Sequence, residues 1–131
     1  MRSVLTAAII GMALTAAAHA GDPARGEKVF SRCKACHMVG ENAKKRVGPP
    51  LNGIVGREFG AFEGFNYSAS LRELAAEGRV WDEATLDAYL KKPKDVIPKG
   101  RMAFPGLKNA ADREDVIAYL KQFNEDGTKT E

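Results

Sequence analysis

The sequence predicts an all-α domain, and three observations support this prediction. Three segments begin with a residue that can cap a helix, and a fourth carries the broad apolar stripe of an amphipathic helix. No segment has a convincing strand pattern. The 131 residues include 13 Gly and 6 Pro, so we expect a few short helices joined by long loops.

The first helix is expected to begin after Asp22, whose carboxylate can accept hydrogen bonds from the N–H groups of the first turn. Pro23 suits the first helical position, because its φ is fixed near the helical value and its missing N–H would have no partner there. The helix is predicted to end near Arg32. Residues 40–64 are dense in Gly and Pro and show no helical period, which predicts a loop.

Two short helices are predicted in the middle of the chain. Ser68 can cap a helix over residues 69–77, which Gly78 would end. Asp82 can cap the next helix over residues 83–92, and a proline directly after it would stop it.

The last part of the chain combines an irregular segment with the clearest helix. Residues 94–107, called the strap below, contain two prolines and two glycines and are predicted to be irregular. Residues 111–123 are predicted to be helical, because their apolar side chains form a stripe along one face: Val116, Ile117, Tyr119, Leu120 and Phe123.

The first twenty residues have the layout of a cleaved secretory signal peptide. A short positive start precedes the mostly apolar residues 4–15, and residues 16–20 are small and end in an A-x-A pattern. Cleavage after Ala20 would leave one domain of residues 21–131 and, with the loss of Arg2, lower the formal net charge from +3 to +2. The layout looks bacterial, which predicts the periplasm. An uncleaved membrane anchor is the alternative, although no apolar run reaches the ~18–20 residues of a membrane span.

Composition excludes several classes of protein. The net charge is too small for a nucleic-acid binder that relies on bulk charge. Two cysteines are too few for a disulfide-rich scaffold. A domain this small, with such long loops, often needs a disulfide, a metal or a cofactor to complete its core.

The only two cysteines and the only histidine of the mature chain lie side by side. Cys33, Cys36 and His37 form the C-x-x-C-H pattern of haem attachment. Two thiols at this spacing can reach the two vinyl groups on one edge of a porphyrin, and the next imidazole can face the iron. The motif therefore predicts one covalently bound haem c per chain, with His37 as an axial ligand.

Three other interpretations of the cysteine pair remain open. A thioredoxin-like redox pair also uses C-x-x-C, but it needs a βαβ context that this sequence lacks. A zinc site needs four ligands, and the mature chain offers no further Cys or His. A disulfide between such close cysteines would close too small a loop to add much stability.

The second axial position of the iron has several candidates. Methionine is the usual partner of histidine in cytochromes, and the mature chain has Met38 and Met102. Met38 adjoins His37 and is tied to the same face of the porphyrin, whereas Met102 lies in the strap, which can cross to the other face. We therefore predict Met102 as the ligand, with Lys99 or an open, five-coordinate iron as alternatives.

With these motifs, the mature chain resembles class I cytochrome c, the group of bacterial cytochrome c2 and mitochondrial cytochrome c. Further motifs follow in the family's order: Gly26, Phe30, residues 47–53, residues 55–57, residues 64–67, Trp81, residues 89–90, Pro93, residues 97–98, residues 102–104 and residues 113–120. The resemblance implies the small class I fold, in which helices and long loops wrap around one haem. Gly100 and Leu71 depart from the family, where threonine and asparagine are common.

The resemblance also implies roles for individual residues. Pro49 would offer its carbonyl oxygen to the free nitrogen of His37, which orients a ligating imidazole. Tyr89 would lie beside the sulfur of Met102. Three residues would hydrogen-bond or pair with the haem propionates: Arg57, Tyr67 and Trp81. Three others would form the crossing of the first and last helices: Gly26, Phe30 and Tyr119.

The function that the resemblance implies is electron transport rather than catalysis. We expect a soluble, monomeric one-electron carrier that receives electrons from a cytochrome bc-type complex. It would pass them to a photosynthetic reaction centre or to the terminal oxidase of a respiratory chain. A haem enzyme with a vacant or displaceable distal position is one rival hypothesis, and a thiol redox protein without haem is another.

Two basic segments flank the predicted iron ligands. Residues 28–46 hold six positive side chains against one negative, and residues 91–101 hold five against one. Between them, residues 58–87 hold seven negative and two positive side chains. If the basic segments surround an exposed haem edge, they would steer an acidic partner, with four candidate docking residues: Lys34, Lys94, Lys99 and Arg101. The alternative is an ordinary solvated face.

Overall fold

The computed structural model describes residues 21–130, in which five α-helices are joined by long loops. They are α1 (Pro23–Phe30), α2 (Ala69–Ala76), α3 (Glu83–Lys91), α4 (Pro93–Val96) and α5 (Ala110–Lys121). Within this range β-structure is limited to two isolated bridges. The predicted all-α class is therefore confirmed. The predicted signal peptide lies outside the described residues.

Hydrogen bonds to N-cap side chains fix the residues at which the helices begin. The three predicted N-cap residues each accept a hydrogen bond from a backbone N–H of the first turn: Asp22, Ser68 and Asp82. These bonds satisfy N–H groups that have no partner inside the helix. The side chain of Asn109 caps α5 in the same way, by accepting from the N–H of Ala111 at 2.9 Å. The last helix therefore begins one residue earlier than predicted.

The strap is more regular at its start than predicted. Pro93 follows α3 and is also the first residue of α4. A proline is compatible with the first turn of a helix, because the missing N–H has no intrahelical partner there. The prediction of irregular structure was therefore wrong for residues 94–96, and the rest of the strap forms no helix.

The first and last helices cross in close contact at Gly26. A Cβ atom on Gly26 would lie 1.9 Å from the backbone oxygen of Asp115 and 2.8 Å from the Cβ of Tyr119. The rings of Phe30 and Tyr119 pack beside this point with their centroids 5.4 Å apart. Only glycine permits this backbone approach, which fixes the segment that leads into the cysteine motif.

Two buried polar residues fasten α5 to its neighbours. The Asp115 carboxylate accepts hydrogen bonds from the backbone N–H of Asp22 at 2.7 Å and from Nε of Arg25 at 2.9 Å. The guanidinium of Arg113 is buried and donates to Oδ1 of Asp87 at 2.7 Å. Because buried charges are costly unless paired, these contacts fix the positions of α1 and α3 against α5.

We expect Gly26→Ala to destabilise the folded protein by about 3 kcal/mol or more, because the new methyl group would overlap a backbone atom that cannot rotate away. Denaturant unfolding followed by far-ultraviolet circular dichroism measures the change. Lys28→Ala, an exposed neighbour on the same helix, is the matched control and should stay within about 0.5 kcal/mol. Equal stability of Gly26→Ala and the control would show that the crossing tolerates a side chain.

Candidate haem site

The cysteine motif lies directly after α1, in a turn closed by backbone hydrogen bonds. The carbonyl oxygen of Phe30 accepts from the N–H of Cys33 at 2.8 Å, and the carbonyl oxygen of Cys33 accepts from the N–H of His37 at 2.9 Å. No disulfide joins the two cysteines, and both are half-buried. Burial raises the pKa of the Cys33 thiol. The helix and its turn thus hold two thiols and one imidazole within five residues.

The imidazole of His37 is oriented by two backbone contacts. Its Nδ1 lies 2.7 Å from the carbonyl oxygen of Pro49. A Cβ atom on Gly48 would lie 2.3 Å from Cε1 of the ring, so the ring packs directly on that glycine. Because a carbonyl oxygen can only accept, Nδ1 carries the proton and Nε2 keeps the lone pair that a metal ligand needs. Burial lowers the pKa of His37 and favours this neutral form.

The sulfur of Met102 is contacted by a tyrosine of α3. The hydroxyl of Tyr89 donates to Sδ of Met102 at 3.6 Å. Burial raises the pKa of Tyr89 to about 12, so the phenol stays protonated and remains a donor at neutral pH. The ring of Trp81 lies 4.8 Å from that of Tyr89, centroid to centroid. The hydrogen bond from Tyr89 therefore fixes the position of the Met102 sulfur in the strap.

Arg57 is held by backbone oxygens but keeps one buried donor unused. Its guanidinium donates to the carbonyl oxygens of Asn52 at 2.9 Å and Pro50 at 3.2 Å. Its Nε is buried and has no hydrogen-bond partner among the described residues. Burial lowers the pKa of Arg57, and no carboxylate within residues 21–130 forms an ion pair with it. A half-buried cation whose buried N–H is unused is suited to an anionic group.

The other two residues predicted to meet the propionates are also buried. The hydroxyl of Tyr67 accepts from the backbone N–H of Phe62 at 3.2 Å and retains its own proton to donate elsewhere. The ring of Trp81 stacks on Phe59 with centroids 3.9 Å apart. Their roles toward a propionate stay predictions.

These residues fit a haem. The thiol pair suits covalent attachment, Nε2 of His37 suits an iron, and the unused Nε–H of Arg57 suits a propionate. Within residues 21–130, no three His, Cys, Asp or Glu side chains are grouped as a metal ion would require. The close packing of Gly48 on the imidazole of His37 was not predicted from the sequence, although Gly48 lies in residues 47–53, one of the motifs that carry the family resemblance.

The four predicted docking residues are all exposed. Lys34 lies in the turn of the cysteine motif and Lys94 lies in α4. Lys99 and Arg101 lie in the strap beside Met102, and Arg101 donates a hydrogen bond to the carbonyl oxygen of Asn66. Separately, no helix within residues 21–130 is long and apolar enough to cross a membrane.

Comparison with known proteins agrees with this geometry. The sequence model of the Cytochrome c family matches residues 23–124. The chain is 52% identical over 130 residues to cytochrome c-554 of Methylosinus trichosporium, which covers 97% of this chain and 96% of the relative. It is 53% identical over 116 residues to cytochrome c2 of Rhodomicrobium vannielii, covering 86% of this chain and 90% of the relative. The solved structure of cytochrome c2 from Rhodospirillum centenum matches with a TM-score of 0.75 and 41% identity, covering 79% of this chain and 99% of that chain. The chain therefore belongs to the cytochrome c family, in the class I group of bacterial cytochromes c2, whose members are haem-containing electron carriers and not enzymes.

Proposed function

We propose that this chain is a periplasmic, monomeric carrier of single electrons with one covalently bound haem c. One observation carries the proposal: two candidate iron ligands from distant segments are each oriented by a hydrogen bond. His37 contacts the carbonyl oxygen of Pro49 through Nδ1, and the sulfur of Met102 accepts from the hydroxyl of Tyr89. Ligands fixed in this way need little rearrangement when the charge of a bound iron changes.

The haem would be held by residues from several segments: Cys33 and Cys36 for attachment, His37 and Met102 for the iron, and Arg57, Tyr67 and Trp81 for the propionates. When bound, it supplies the one-electron chemistry of ferrous and ferric iron. The protein provides the neutral Nε2 of the imidazole, the thioether sulfur and the half-buried guanidinium of Arg57, which would balance a propionate charge.

An electron carrier is favoured over a haem enzyme by the ligand set. If His37 and Met102 fill both axial positions, no open position is left for a substrate. Membership of the cytochrome c family supports the same conclusion. The N-terminal pattern of a signal peptide supports the periplasm, where a cytochrome bc-type complex would be the donor and a reaction centre or terminal oxidase the acceptor.

The docking face of the carrier would consist of Lys34, Lys94, Lys99 and Arg101. We expect Lys94→Glu and Lys99→Glu to slow the second-order reaction with an acidic partner complex about 3- to 10-fold at low salt, because charges at the rim mainly change the rate of association. The difference should shrink as salt rises, since the Debye length falls from ~10 Å at 0.1 M to ~3 Å at 1 M. The reduction potential should stay nearly unchanged. Stopped-flow rates with bc-type complex or oxidase, measured against ionic strength, test this.

Lys129→Glu is the control for the docking experiment. Lys129 is exposed near the end of the chain, and its ammonium lies 5.4 Å from the centroid of the Phe123 ring, so circular dichroism should first show that the reversal keeps the fold. Lys121 is less suitable, because it is bound to Glu83 at 2.9 Å and would lose an ion pair on reversal. The control should keep the salt dependence of the unmodified protein. Equal slopes for the control and the docking variants would contradict the docking face, and failure of the complex to exchange electrons with any form would contradict the proposed function itself.

A further inference from the structure

The side chain of Asn52 forms two hydrogen bonds with one residue of the loop that follows the cysteine motif. Its Oδ1 accepts from the backbone N–H of Gly40 at 2.8 Å, and its Nδ2 donates to the carbonyl oxygen of Gly40 at 2.8 Å. Because the N–H can only donate and the carbonyl can only accept, these partners fix the orientation of the amide. The carboxamide thus takes the place of a backbone peptide group and pairs two residues that are 12 positions apart.

These bonds close a ladder between residues 36–40 and residues 48–52, which run side by side in the same direction. Backbone hydrogen bonds join the two segments at two further positions: Cys36 with Gly48 at 2.9 Å, and Met38 with Leu51 at 3.0 Å. Between these positions, Nδ1 of His37 lies 2.7 Å from the carbonyl oxygen of Pro49. The contact that orients the imidazole therefore lies inside the ladder.

The carbonyl of Pro49 is positioned by its neighbours in the chain. Neither Pro49 nor Pro50 has a backbone N–H, so neither can donate a ladder hydrogen bond of its own. The bonds of Gly48 and Leu51 are made by backbone groups, which a substitution leaves in place. The bonds of Asn52 are made by a side chain, and a substitution can remove them.

Gly40 is a firm partner for Asn52, because the C-terminal residues pack on the same pair. A Cβ atom on Gly127 would overlap the carbonyl oxygen of Gly40, so the two backbones lie in direct contact. The N–H of Gly53, which follows Asn52, donates to the carbonyl oxygen of Phe123 at 3.0 Å. Both sides of the pair are therefore held in place by the end of the chain.

We propose that Asn52 is a positioning residue for the candidate iron ligand His37. By pairing with Gly40, its carboxamide holds the carbonyl oxygen of Pro49 on the imidazole Nδ1. A hydrogen bond from Nδ1–H to a carbonyl raises the basicity of a ligating imidazole, and a more basic ligand favours ferric iron. Loss of the pair should therefore favour ferrous iron. This inference rests on the proposed function, because it requires His37 to bind the iron of a haem.

Two substitutions of Asn52 test the proposal in the haem-loaded protein. Asn52→Ala removes both bonds, and Asn52→Gln carries the carboxamide on a longer side chain that cannot pair with Gly40 in the same place. Both keep the carbonyl oxygen of residue 52, which accepts from Arg57 at 2.9 Å. We expect Asn52→Ala to shift the equilibrium with a reference redox couple about threefold toward the reduced form, or ~28 mV at 59 mV per tenfold change. Asn52→Gln should shift it in the same direction.

The second measurement reports on the imidazole directly. In ¹⁵N–¹H NMR of the ferrous protein, the Nδ1 proton of His37 should exchange with solvent about 3- to 10-fold faster in both variants, the factor that corresponds to one weakened hydrogen bond. A residue that only stabilised the loop would not move this proton and the potential together.

Asn109→Ala is the matched control. It also removes an asparagine side chain that accepts from a backbone N–H, at the start of α5 and outside residues 36–52, and it should also lower the stability of the protein. We expect it to leave both the potential and the exchange of the His37 proton unchanged. Equal shifts in the control and in Asn52→Ala would overturn the proposal, as would unchanged values in both Asn52 variants.

The unmodified ferrous protein separates a failure of this inference from a failure of the proposed function. We expect an iron-bound His37 ring with a protected Nδ1 proton, together with slowly exchanging side-chain amide protons on Asn52. The absence of an iron-bound His37 would contradict the proposed function. Freely exchanging Asn52 amide protons beside an iron-bound His37 would overturn only the positioning role. These measurements, like those on Asn52→Gln, stand even if Asn52→Ala does not load haem.

Discussion

Met102→Ala is expected to leave the haem covalently attached and to lower its reduction potential by on the order of 0.1 V or more, since axial ligands set haem potentials over ≈0.8 V. Attachment depends on Cys33 and Cys36, which the substitution does not touch. A thioether ligand favours ferrous iron, so its loss stabilises the ferric form. The weak red-edge absorption of an iron–sulfur bond should disappear as well. Equilibrium redox titration and the oxidised spectrum measure the two effects.

Met38→Leu is the control for this substitution. Met38 is half-buried next to His37, and its carbonyl oxygen accepts from the backbone N–H of Leu51 at 3.0 Å, a contact that leucine at this position would keep. We expect this variant to keep both the potential and the red-edge band. An unchanged spectrum in Met102→Ala would refute the ligand assignment. Absence of the band from the unmodified protein, with a potential that changes in Lys99→Ala but not in Met102→Ala, would identify the lysine alternative.

The helices of this chain were predictable where their signals are local. Three helix starts could be predicted from their N-cap residues Asp22, Ser68 and Asp82, because a cap accepts hydrogen bonds from N–H groups only two or three residues away. The short helix α4 was missed, since Pro93 both stops α3 and begins the next turn. A proline has the same sequence signal in either role, and only the path of the following chain separates them.

The contacts that orient the helices could not be predicted, because their partners are far apart in sequence. Asp115 bonds to the N–H of Asp22 across 93 positions, and Arg113 reaches Asp87 across 26. A buried Asp or Arg on a helix looks like an ordinary surface charge in the sequence. The pattern of residues gives the apolar face of α5 but does not identify the polar residues that lie within its buried surface.

In the candidate site, too, features set by adjacent residues could be predicted, whereas features that depend on distant residues could not. The cysteine motif was predictable because Cys33, Cys36 and His37 are adjacent, so one turn brings them together. The unused Nε–H of Arg57 could not be predicted, since it depends on which oxygens occupy the rest of the guanidinium. The convergence of Arg72 and Arg101 on Asn66 could not be predicted either, because Arg101 lies 35 positions from that asparagine.

We expect this fold to depend on its cofactor, because its helices are short and its domain is small. Among the helices of residues 21–130, the longest has 12 residues and the others have four to nine, at or below the length at which isolated helices are marginally stable in water. Their stability must therefore come from tertiary packing, yet a domain of this size buries only about 60–70% of its unfolded surface. Several apolar side chains pack on the core while remaining only partly buried: Leu51, Val55, Leu90, Val96 and Phe104. A covalently attached haem would add apolar surface for such side chains to cover.

We therefore expect the double substitution Cys33→Ala with Cys36→Ala, expressed with the same N-terminal segment, to yield a largely unfolded chain. The variant cannot form the covalent attachment, and in protein whose absorption spectrum shows no haem, folding coupled to cofactor binding is lost. Circular dichroism should show weak helical signal, and limited proteolysis should cut the chain rapidly. Met102→Ala is the comparison, because it keeps both thioether bonds and should keep the helical signal. A cooperative thermal transition in the haem-free variant would show that contacts such as the α1–α5 crossing at Gly26 are enough to fold the domain.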